Sequence, residues 1–138
     1  MIKKLTKKAK QKLFNKVATH LLKQNAKAET GGYCKYRTSD GEKCAVGVLL
    51  PPAVYAKTGE CGRVENLLGY RVAENYFNNY YGDTSKLKPM LMDLQRIHDT
   101  QDVGSWGHNL LVFAATYGLR CPLPIRKLMK KQKASHAV

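Results

Sequence analysis

Residues 33–52 decide the fold, and they have the sequence YCKYRTSDGEKCAVGVLLPP. Within them Ser39-Asp40-Gly41 is a strong turn signal, because Gly accepts a positive φ and an Asp side chain bonds to nearby backbone. We therefore expect a hairpin or a tight loop with Cys34 and Cys44 in its two arms. The run at 44–50 is almost entirely apolar and ends at two prolines, so it is predicted to be buried, either as a two-turn helix or as an inner strand.

Helical periodicity accounts for most of the remaining sequence. At 11–26 the apolar side chains recur at the i, i+3, i+4 spacing of a helix, with lysines on the opposite face. Residues 53–68 have the pattern of a short helical turn, a loop and a second helix that begins near Arg63. Helical spacing in the tyrosine-rich segment 69–82 predicts an amphipathic helix with Tyr80 among the rings that seal the core. Stacking of these rings on nucleic-acid bases is the alternative.

Two further helices are predicted before the C-terminal tail. Asp83 or Thr84 is suited to cap a helix that ends by Thr100. Ser105 is suited to cap a last helix at 106–117 in the same way. Together with the helices above, this pattern predicts four to five helices around a short hairpin, which is a mostly α or α+β fold.

The charge of the chain is concentrated at its two ends. The 138 residues have a formal net charge of +14 at pH 7. Residues 1–28 hold nine Lys and residues 120–138 hold six Lys or Arg, with no acidic residue in either segment, whereas residues 29–119 carry nine Lys or Arg against ten acids. The sequence therefore predicts a basic arm at 1–10, one α-rich globular domain at 11–119 that folds without disulfides or metal, and a basic tail at 120–138.

Basic ends on a nearly neutral body are typical of a protein that binds a polyanion. We expect non-enzymatic binding to the backbone of RNA or DNA, with RNA slightly favoured and with no cofactor. Two other classes of partner stay open, namely an acidic surface of a host protein that the chain would inhibit and an anionic membrane surface. The predicted phosphate-binding residues are Lys3, Lys4, Lys7, Lys8, Lys10, Lys12, Lys16, Arg126, Lys127, Lys130, Lys131 and Lys133.

Side chains suited to catalysis or metal binding are scattered and match no standard motif. His98 and Asp99 end one predicted helix and His108 begins the next, so the two histidines are candidates for the acid and base of a phosphodiesterase. Helix-dipole and backbone-bonding roles explain His98 and Asp99 better, so both residues are predicted to be structural. Cys34, Cys44, His98 and His108 are candidate zinc ligands, but no pair has the spacing of two to four residues usual in structural zinc sites, so no metal is predicted.

Cysteine usage and hydropathy predict an intracellular protein. The four cysteines include no Cys-x-x-Cys pair, and lysines interrupt the N-terminal region where a signal peptide needs an apolar stretch. No apolar run approaches the roughly 20 residues that a transmembrane helix needs. We therefore expect reduced thiols, a cytoplasmic location and no membrane-spanning segment.

One distinctive pattern runs through the body of the chain. It consists of Cys34-x-Tyr36-Arg37, Asp40-Gly41-x-Lys43-Cys44-Ala45-Val46-Gly47 and Leu50-Pro51, then Leu94-Gln95-x-Ile97-His98-Asp99, Trp106 and Tyr117-Gly118-Leu119. This combination resembles a family of small uncharacterised proteins from phages and bacteria, over about residues 13–119. The resemblance implies no catalytic residue. It implies that the shared Cys, Arg and His-Asp positions cluster in space. We further expect an accessory phage factor that acts on a host nucleoprotein complex, in the host cytoplasm.

The expected structural cluster is held together by a charge pair. Polar groups beside a buried apolar run must be satisfied locally, and Asp99 is the nearest acid without another assigned role. We therefore expect Arg37 or Lys43 to lie against Asp99, near His98, so that the hairpin is fixed on the helix that ends there. The cluster would comprise Cys34, Tyr36, Arg37, Lys43, Cys44, His98 and Asp99.

Overall fold

The computed structural model describes residues 2–137, so Met1 of the predicted arm and Val138 of the predicted tail lie outside the described residues. In chain order the helices and strands are α1 (Lys7–Gln24), β1 (Glu29–Thr30), β2 (Tyr33–Cys34), α2 (Pro52–Thr58), α3 (Val64–Leu68), α4 (Arg71–Tyr80), α5 (Thr84–Thr100), α6 (Trp106–Thr116) and α7 (Leu123–Ser135), with 3₁₀ turns at Gly47–Leu49 and Val103–Ser105. This mostly α fold with one two-stranded antiparallel sheet confirms the predicted fold class, although residues 2–137 contain seven α-helices instead of four or five. No helix within residues 2–137 combines the length and the apolar character needed to cross a membrane.

The core lies around α6, which packs against α1, α5 and α7. Helix α1 packs against α6 and α7, and α5 packs against α3 and α6. Phe14 of α1 and Phe113 of α6 stack with their ring centroids 5.7 Å apart and their planes 6° from parallel. Trp106, the largest fully buried side chain, stands at the start of α6. The apolar face predicted for α1 therefore does pack inward.

Helix α1 begins at Lys7, four residues earlier than predicted, because Thr6 caps it. The Thr6 hydroxyl accepts a hydrogen bond from the Ala9 N–H at 3.1 Å. Leu5 packs against the core, and its backbone passes so close to Gly82 that a Cβ there would lie 2.6 Å from the Leu5 Cα. The prediction of a free arm at 1–10 is therefore wrong for its second half, which is either helical or packed on the core.

The predicted C-terminal tail is mostly helix α7, and this helix is part of the core. Ile125, Met129 and Gln132 are buried at the i, i+4, i+7 spacing of one helical face. The Gln132 side-chain amide donates to the Val103 carbonyl at 2.5 Å, which ties α7 to the turn before α6. The basic tail predicted at 120–138 is therefore mostly a helix that packs on the core.

Helices α1 and α7 run side by side in the same direction. Near their N-terminal ends the Gln11 amide donates to the Arg120 carbonyl and accepts from the Arg120 N–H, both at 2.9 Å. Near their C-terminal ends the Asn25 side chain contacts Ser135 at 3.1 Å and His136 at 2.7 Å. The positive ends of the two helix dipoles therefore lie at the same end of the molecule.

Residues 29–50, which we call the central segment, form two successive turns instead of one hairpin. The predicted turn is present, since the Gly41 N–H bonds to the Thr38 carbonyl and Arg37 forms a single antiparallel bridge with Lys43. The two-stranded sheet lies earlier, because β1 and β2 pair across Gly31-Gly32, which have φ values of 60° and 84°. Strands of two residues are too short for alternation to reveal them in the sequence.

The apolar run at 44–50 is buried as predicted and contains a 3₁₀ turn. Gly47 begins this turn directly against the backbone of the preceding segment. A Cβ at Gly47 would lie 2.0 Å from the Tyr36 carbonyl oxygen, which is far inside van der Waals contact. Only glycine allows the run to pack this closely on Tyr36.

The tyrosines of α4 and its C-terminal end divide between the core and the surface. Ala73, Phe77 and Tyr81 follow one another at four-residue spacing and are buried. The prediction that Tyr80 seals the core is wrong, because its side chain is 46 % exposed. The helix ends at Tyr80, and the buried stripe continues to Tyr81 instead.

The ends of α5 and α6 agree with the sequence except at one cap. Asp83 caps α5 by accepting from the Ser85 N–H at 3.0 Å, and α5 ends at Thr100 as predicted. Helix α6 begins at Trp106, but the Ser105 side chain makes no capping bond. The 3₁₀ turn that precedes α6 runs directly into it, so Ser105 lacks the extended backbone of a capping residue.

Candidate functional site

Part of the predicted cluster lines a cavity of about 200 Å³ between the central segment and α5, which we call the hairpin cleft. Four predicted members of the cluster, Cys34, Tyr36, Cys44 and Asp99, line the cleft. The remaining lining residues are Lys35, Glu60, Gly62, Arg63 and Gln95. The sequence thus located this cleft, although it did not single out the acidic side chain that the loop before α3 contributes.

The predicted charge pair between Asp99 and Arg37 or Lys43 is wrong. Asp99 Oδ1 instead accepts from the His98 ring at 2.7 Å and from the Gln95 amide at 2.8 Å. The Arg37 guanidinium donates to the Leu50 carbonyl and lies over the Tyr55 ring, 4.8 Å from its centroid. Backbone carbonyls carry no signal in a sequence, which is why the alternative partner of Arg37 was not predicted.

The acid that binds the central segment is Glu60, which the sequence analysis did not single out. Its carboxylate accepts from the backbone N–H of Tyr36 at 2.7 Å and from that of Arg37 at 3.2 Å. It also accepts from the Tyr55 hydroxyl at 2.5 Å, and this bond raises the pKa of Tyr55 to about 12. Glu60 therefore connects the segment before the turn to α2 with three hydrogen bonds.

His98 is fully buried, and both of its ring nitrogens are already bonded. Its Nε2 accepts from the Ala28 N–H at 2.9 Å. Because a backbone N–H can only donate, Nε2 carries the lone pair and the ring proton lies on Nδ1, where it is donated to Asp99. The ring also stacks on Trp106 with centroids 5.5 Å apart. His98 therefore bridges the segment before β1 to α5 and has no nitrogen left for a substrate.

The two histidines proposed as an acid and base are not brought together. His108 is exposed on α6 and lines a separate groove of about 270 Å³ with Arg126 and Lys130 of α7. His98 contacts Ala28, Asp99 and Trp106 in the interior. The shared site that a two-histidine phosphodiesterase needs is therefore not formed.

The four candidate zinc ligands are not gathered either. Among residues 2–137, Cys34, His98 and Asp99 are the one group of three potential ligands, with donor atoms within 4.8 Å of one another. Since both nitrogens of His98 are bonded, a thiol and a carboxylate remain. Burial and the nearby charge of Asp99 raise the pKa of the Cys34 thiol to about 11, and burial raises that of Cys44 to about 12. Both thiols are protonated at neutral pH, which disfavours metal ligation and nucleophilic attack.

The predicted phosphate-binding residues form a second candidate site on α1, α7 and the segment before α1. Eleven of the twelve are exposed, and Lys10 is partly buried. Within residues 2–137 the ion pairs are Arg96–Asp93 and His98–Asp99, so none of the twelve is paired with an acid. We call the surface that they form with Arg120 the basic surface. No acid in the described part of the chain therefore pairs with the positive charges of this surface.

One part of the basic surface is a groove of about 580 Å³ at the N-terminal end of α1. It is lined by Lys7, Lys8, Gln11, Lys12, Asn15 and Arg120. Arg120 was not predicted, and its place is fixed by the two bonds between its backbone and the Gln11 side chain. The groove lies where the positive ends of two parallel helix dipoles meet, which adds to the attraction for an anion.

A second part of the basic surface surrounds Tyr80. The Lys12 ammonium donates to the Tyr80 hydroxyl at 3.1 Å and lies 4.6 Å from the ring centroid. This hydrogen bond, together with the charges of Lys12, Lys16 and Lys3, lowers the pKa of Tyr80 below its usual value. Lysines from α1 and from the segment before it therefore converge on an exposed aromatic ring.

The third part of the basic surface is the exposed side of α7. Arg126, Lys130 and Lys133 line the groove beside His108, and helical spacing places Lys127 and Lys131 further around the same helix. The basic residues that the sequence assigned to the two ends therefore lie on two neighbouring parallel helices, apart from Lys3 and Lys4, which precede α1. Comparison of the chain with protein-family models, curated proteins and solved structures finds no significant match, so the site is interpreted from its own geometry.

Proposed function

We propose that this protein binds nucleic acid non-enzymatically through contacts between the basic surface and the phosphate backbone. The observation that carries the proposal is the absence, within residues 2–137, of any acidic partner for the predicted phosphate-binding residues. Uncompensated cations on two adjacent helices repel one another, and a polyanion relieves that repulsion while it releases condensed counterions. We further propose that it acts as an accessory factor on a host nucleoprotein complex.

The form of the basic surface supports a defined binding geometry. Lysines on free arms would neutralise phosphates in any arrangement, whereas those on α1 and α7 have positions fixed by packing in the core. Lys8, Lys12 and Lys16 recur every four residues, so they follow one stripe along α1. A stripe of this kind runs along a phosphate backbone without reading base edges, so the expected binding is nearly independent of sequence.

The test is the salt dependence of binding, measured by fluorescence anisotropy with labelled DNA and RNA oligonucleotides. If about five phosphates are engaged, the plot of log K against log salt should have a slope of roughly −3.5 to −4.5. The triple variant Lys8→Gln, Lys12→Gln, Lys16→Gln should flatten that slope by about 2 units or more. Substitution is preferable to deletion of residues 1–10, because deletion would remove Leu5 and the first turn of α1.

The matched control removes three charges elsewhere, through Lys35→Gln, Lys57→Gln and Arg63→Gln. These residues lie in the central segment, in α2 and before α3, and the slope should change little because they do not belong to the basic surface. A native slope near zero would contradict the proposal. So would a control that flattens the slope as much as the α1 variant does, because the effect would then report net charge alone.

One observation favours a second candidate, an inhibitor that docks on an acidic protein. Leu111 and Val112 of α6 are 44 % and 51 % exposed, and Leu111 lines the groove that Arg126 and Lys130 of α7 also line. Apolar side chains beside cations suit a protein surface better than they suit phosphates alone. Affinity purification from native cells, with and without nuclease, distinguishes the two functions. A protein partner retained after nuclease treatment would favour the inhibitor.

A further inference from the structure

Tyr80 occupies a position that core packing does not explain. The stripe that seals the core runs through Ala73, Phe77 and Tyr81, and Tyr81 is 1 % exposed. Tyr80 is the last residue of α4 and is 46 % exposed. Nearly half of the surface of Tyr80 is therefore left open to solvent. The ring is therefore available for contact with a ligand.

The Tyr80 ring is held in place by its neighbours. It stacks on Tyr76, with centroids 5.5 Å apart and planes 15° from parallel, and it meets Tyr81 edge to face at 4.7 Å. Tyr76 is partly buried and Tyr81 is buried, so both anchor the exposed ring to the core. A ring fixed in this way loses little conformational entropy when it binds a flat ligand.

Lys12 covers part of the exposed ring in the free protein. Its ammonium lies 4.6 Å from the ring centroid and bonds to the Tyr80 hydroxyl at 3.1 Å. Contacts of this type are weak at exposed sites, and a lysine side chain is flexible, so the ammonium is easily displaced. Lys16 and Lys3 are close enough for their charges to act on the same hydroxyl. Cations that suit a phosphate thus surround a ring that suits a base.

We propose that Tyr80 stacks on an unpaired base of single-stranded nucleic acid, while Lys12 moves from the ring to the adjacent phosphate. The inference rests on the proposed function and specifies its ligand. In a duplex the bases are stacked on one another, whereas an unpaired base offers its π-face to an aromatic side chain. Lysines alone do not make this distinction, so the aromatic ring is what selects single strands.

The test compares a single strand and a duplex of equal phosphate number for native protein and for Tyr80→Leu. The probes are labelled oligo(dT), oligo(U) and a blunt DNA duplex of mixed sequence. Tyr80→Leu should lower affinity for both single strands on the order of tenfold and should leave duplex affinity and the salt slopes unchanged. Tyr80→Phe, which keeps the ring and loses the hydroxyl bond to Lys12, should bind single strands within about twofold of native protein.

Tyr70→Leu is the matched control, because Tyr70 is 44 % exposed at the opposite end of α4. It should leave every affinity unchanged, and thermal unfolding of all three variants should confirm that they fold. Equal losses for single strands and duplex in Tyr80→Leu would overturn the stacking proposal but leave phosphate binding in place. An unchanged affinity for single strands would overturn it as well. Failure of native protein to bind any probe would instead refute the proposed function itself.

Discussion

The hairpin cleft and the basic surface differ in what their polar groups already contact. In the cleft, the Asp99 carboxylate accepts hydrogen bonds from His98 and Gln95, and Glu60 accepts three from its surroundings. On the basic surface, no cation of α1 or α7 has an acidic partner within residues 2–137. The His98, Asp99 and Glu60 side chains therefore form hydrogen bonds within the fold, whereas the lysines of the basic surface have no acidic partner in the described residues and remain available to a ligand.

This difference also separates the expected effects of mutation. A polar group with an internal partner contributes to folding, and removal of one partner leaves the other unsatisfied in the interior. A surface cation without a partner contributes nothing comparable to folding. Substitutions in or beside the cleft should therefore change stability and spare binding, whereas substitutions on the basic surface should change binding and spare stability.

The largest effect on stability is expected from Gly47→Ala, beside the cleft. The new Cβ would lie 2.0 Å from the Tyr36 carbonyl oxygen, which also accepts the Cys44 N–H at 3.2 Å. Because the obstacle is backbone, relief requires the two segments to separate. We expect the free energy of unfolding, measured by urea denaturation, to fall by about 4 kcal/mol or more.

Gly31→Ala is the control for this substitution. Gly31 has a φ of 60° in the β1–β2 turn, and a Cβ there would meet nothing within 4 Å. Only the strain of a left-handed alanine is expected, which amounts to about 1 kcal/mol. If Gly47→Ala lowers the free energy of unfolding no more than Gly31→Ala does, the close packing of Gly47 on the Tyr36 backbone is contradicted.

The next largest effect is expected from His98→Ala. It leaves a cavity against Trp106 and removes the acceptor of the Ala28 N–H and the donor to Asp99. We expect a loss of about 2–4 kcal/mol in the free energy of unfolding, since both a cavity and unsatisfied polar groups result. Nucleic-acid affinity, measured at a temperature where the variant is folded, should stay within twofold of native, as is usual for a site with no ligand contact.

His108→Ala is the matched control, because His108 is exposed and its stability effect should lie within about 0.5 kcal/mol. Similar destabilisation by both substitutions would contradict the separation of the two histidines. A phosphodiesterase activity of the native protein that both variants lost with their folds intact would restore the acid–base interpretation. The cleft, and not the basic surface, would then be the region of the molecule that acts on a substrate.

The sequence predicted those parts of the fold in which many residues share one pattern. Helices α1, α4, α5 and α6 each bury a periodic apolar stripe, so their positions were predicted to within a few residues. Helix α7 was predicted only as a basic tail, because its two nearby prolines and many lysines obscured the buried stripe of Ile125, Met129 and Gln132. The short strands β1 and β2 have too few residues for any periodicity to be visible.

The partners within the hairpin cleft were predicted less well than its location. Cys34, Tyr36, Cys44 and Asp99 do line the cleft. Charge alone paired Asp99 with Arg37 or Lys43, whereas the structure uses a backbone carbonyl for Arg37 and places His98 and Gln95 as the donors to Asp99. Main-chain donors and acceptors are present at nearly every position, so the sequence does not indicate which of them a given side chain will bind. The same limit applies to Tyr80, because the burial of Tyr81 depends on where α4 ends.

The smallest effect, and the one with the opposite sign, is expected on the basic surface. The double variant Lys8→Gln, Lys16→Gln removes two like-charge contacts with Lys12 at four-residue spacing and one cation from the first turn of α1, and it keeps the contact between Lys12 and Tyr80. Glutamine and lysine have similar helix propensities, so electrostatics dominate the difference. At low salt we expect the free energy of unfolding to rise by about 0.5 kcal/mol, because like charges at this spacing and cations near a helix N-terminus are both unfavourable.

The dependence on salt concentration tests whether electrostatics cause this rise in the free energy of unfolding. Added salt screens exposed charges, so the stabilisation should disappear at an ionic strength of about 1 M, where the screening length is about 3 Å. Urea denaturation of the native protein and of the double variant at low and high salt measures the difference. Destabilisation by more than about 1 kcal/mol would mean that the lysine stems pack on the fold and that the basic surface is partly structural. A small gain, lost in salt and accompanied by weaker binding, is what lysines held in place for an anionic ligand should give.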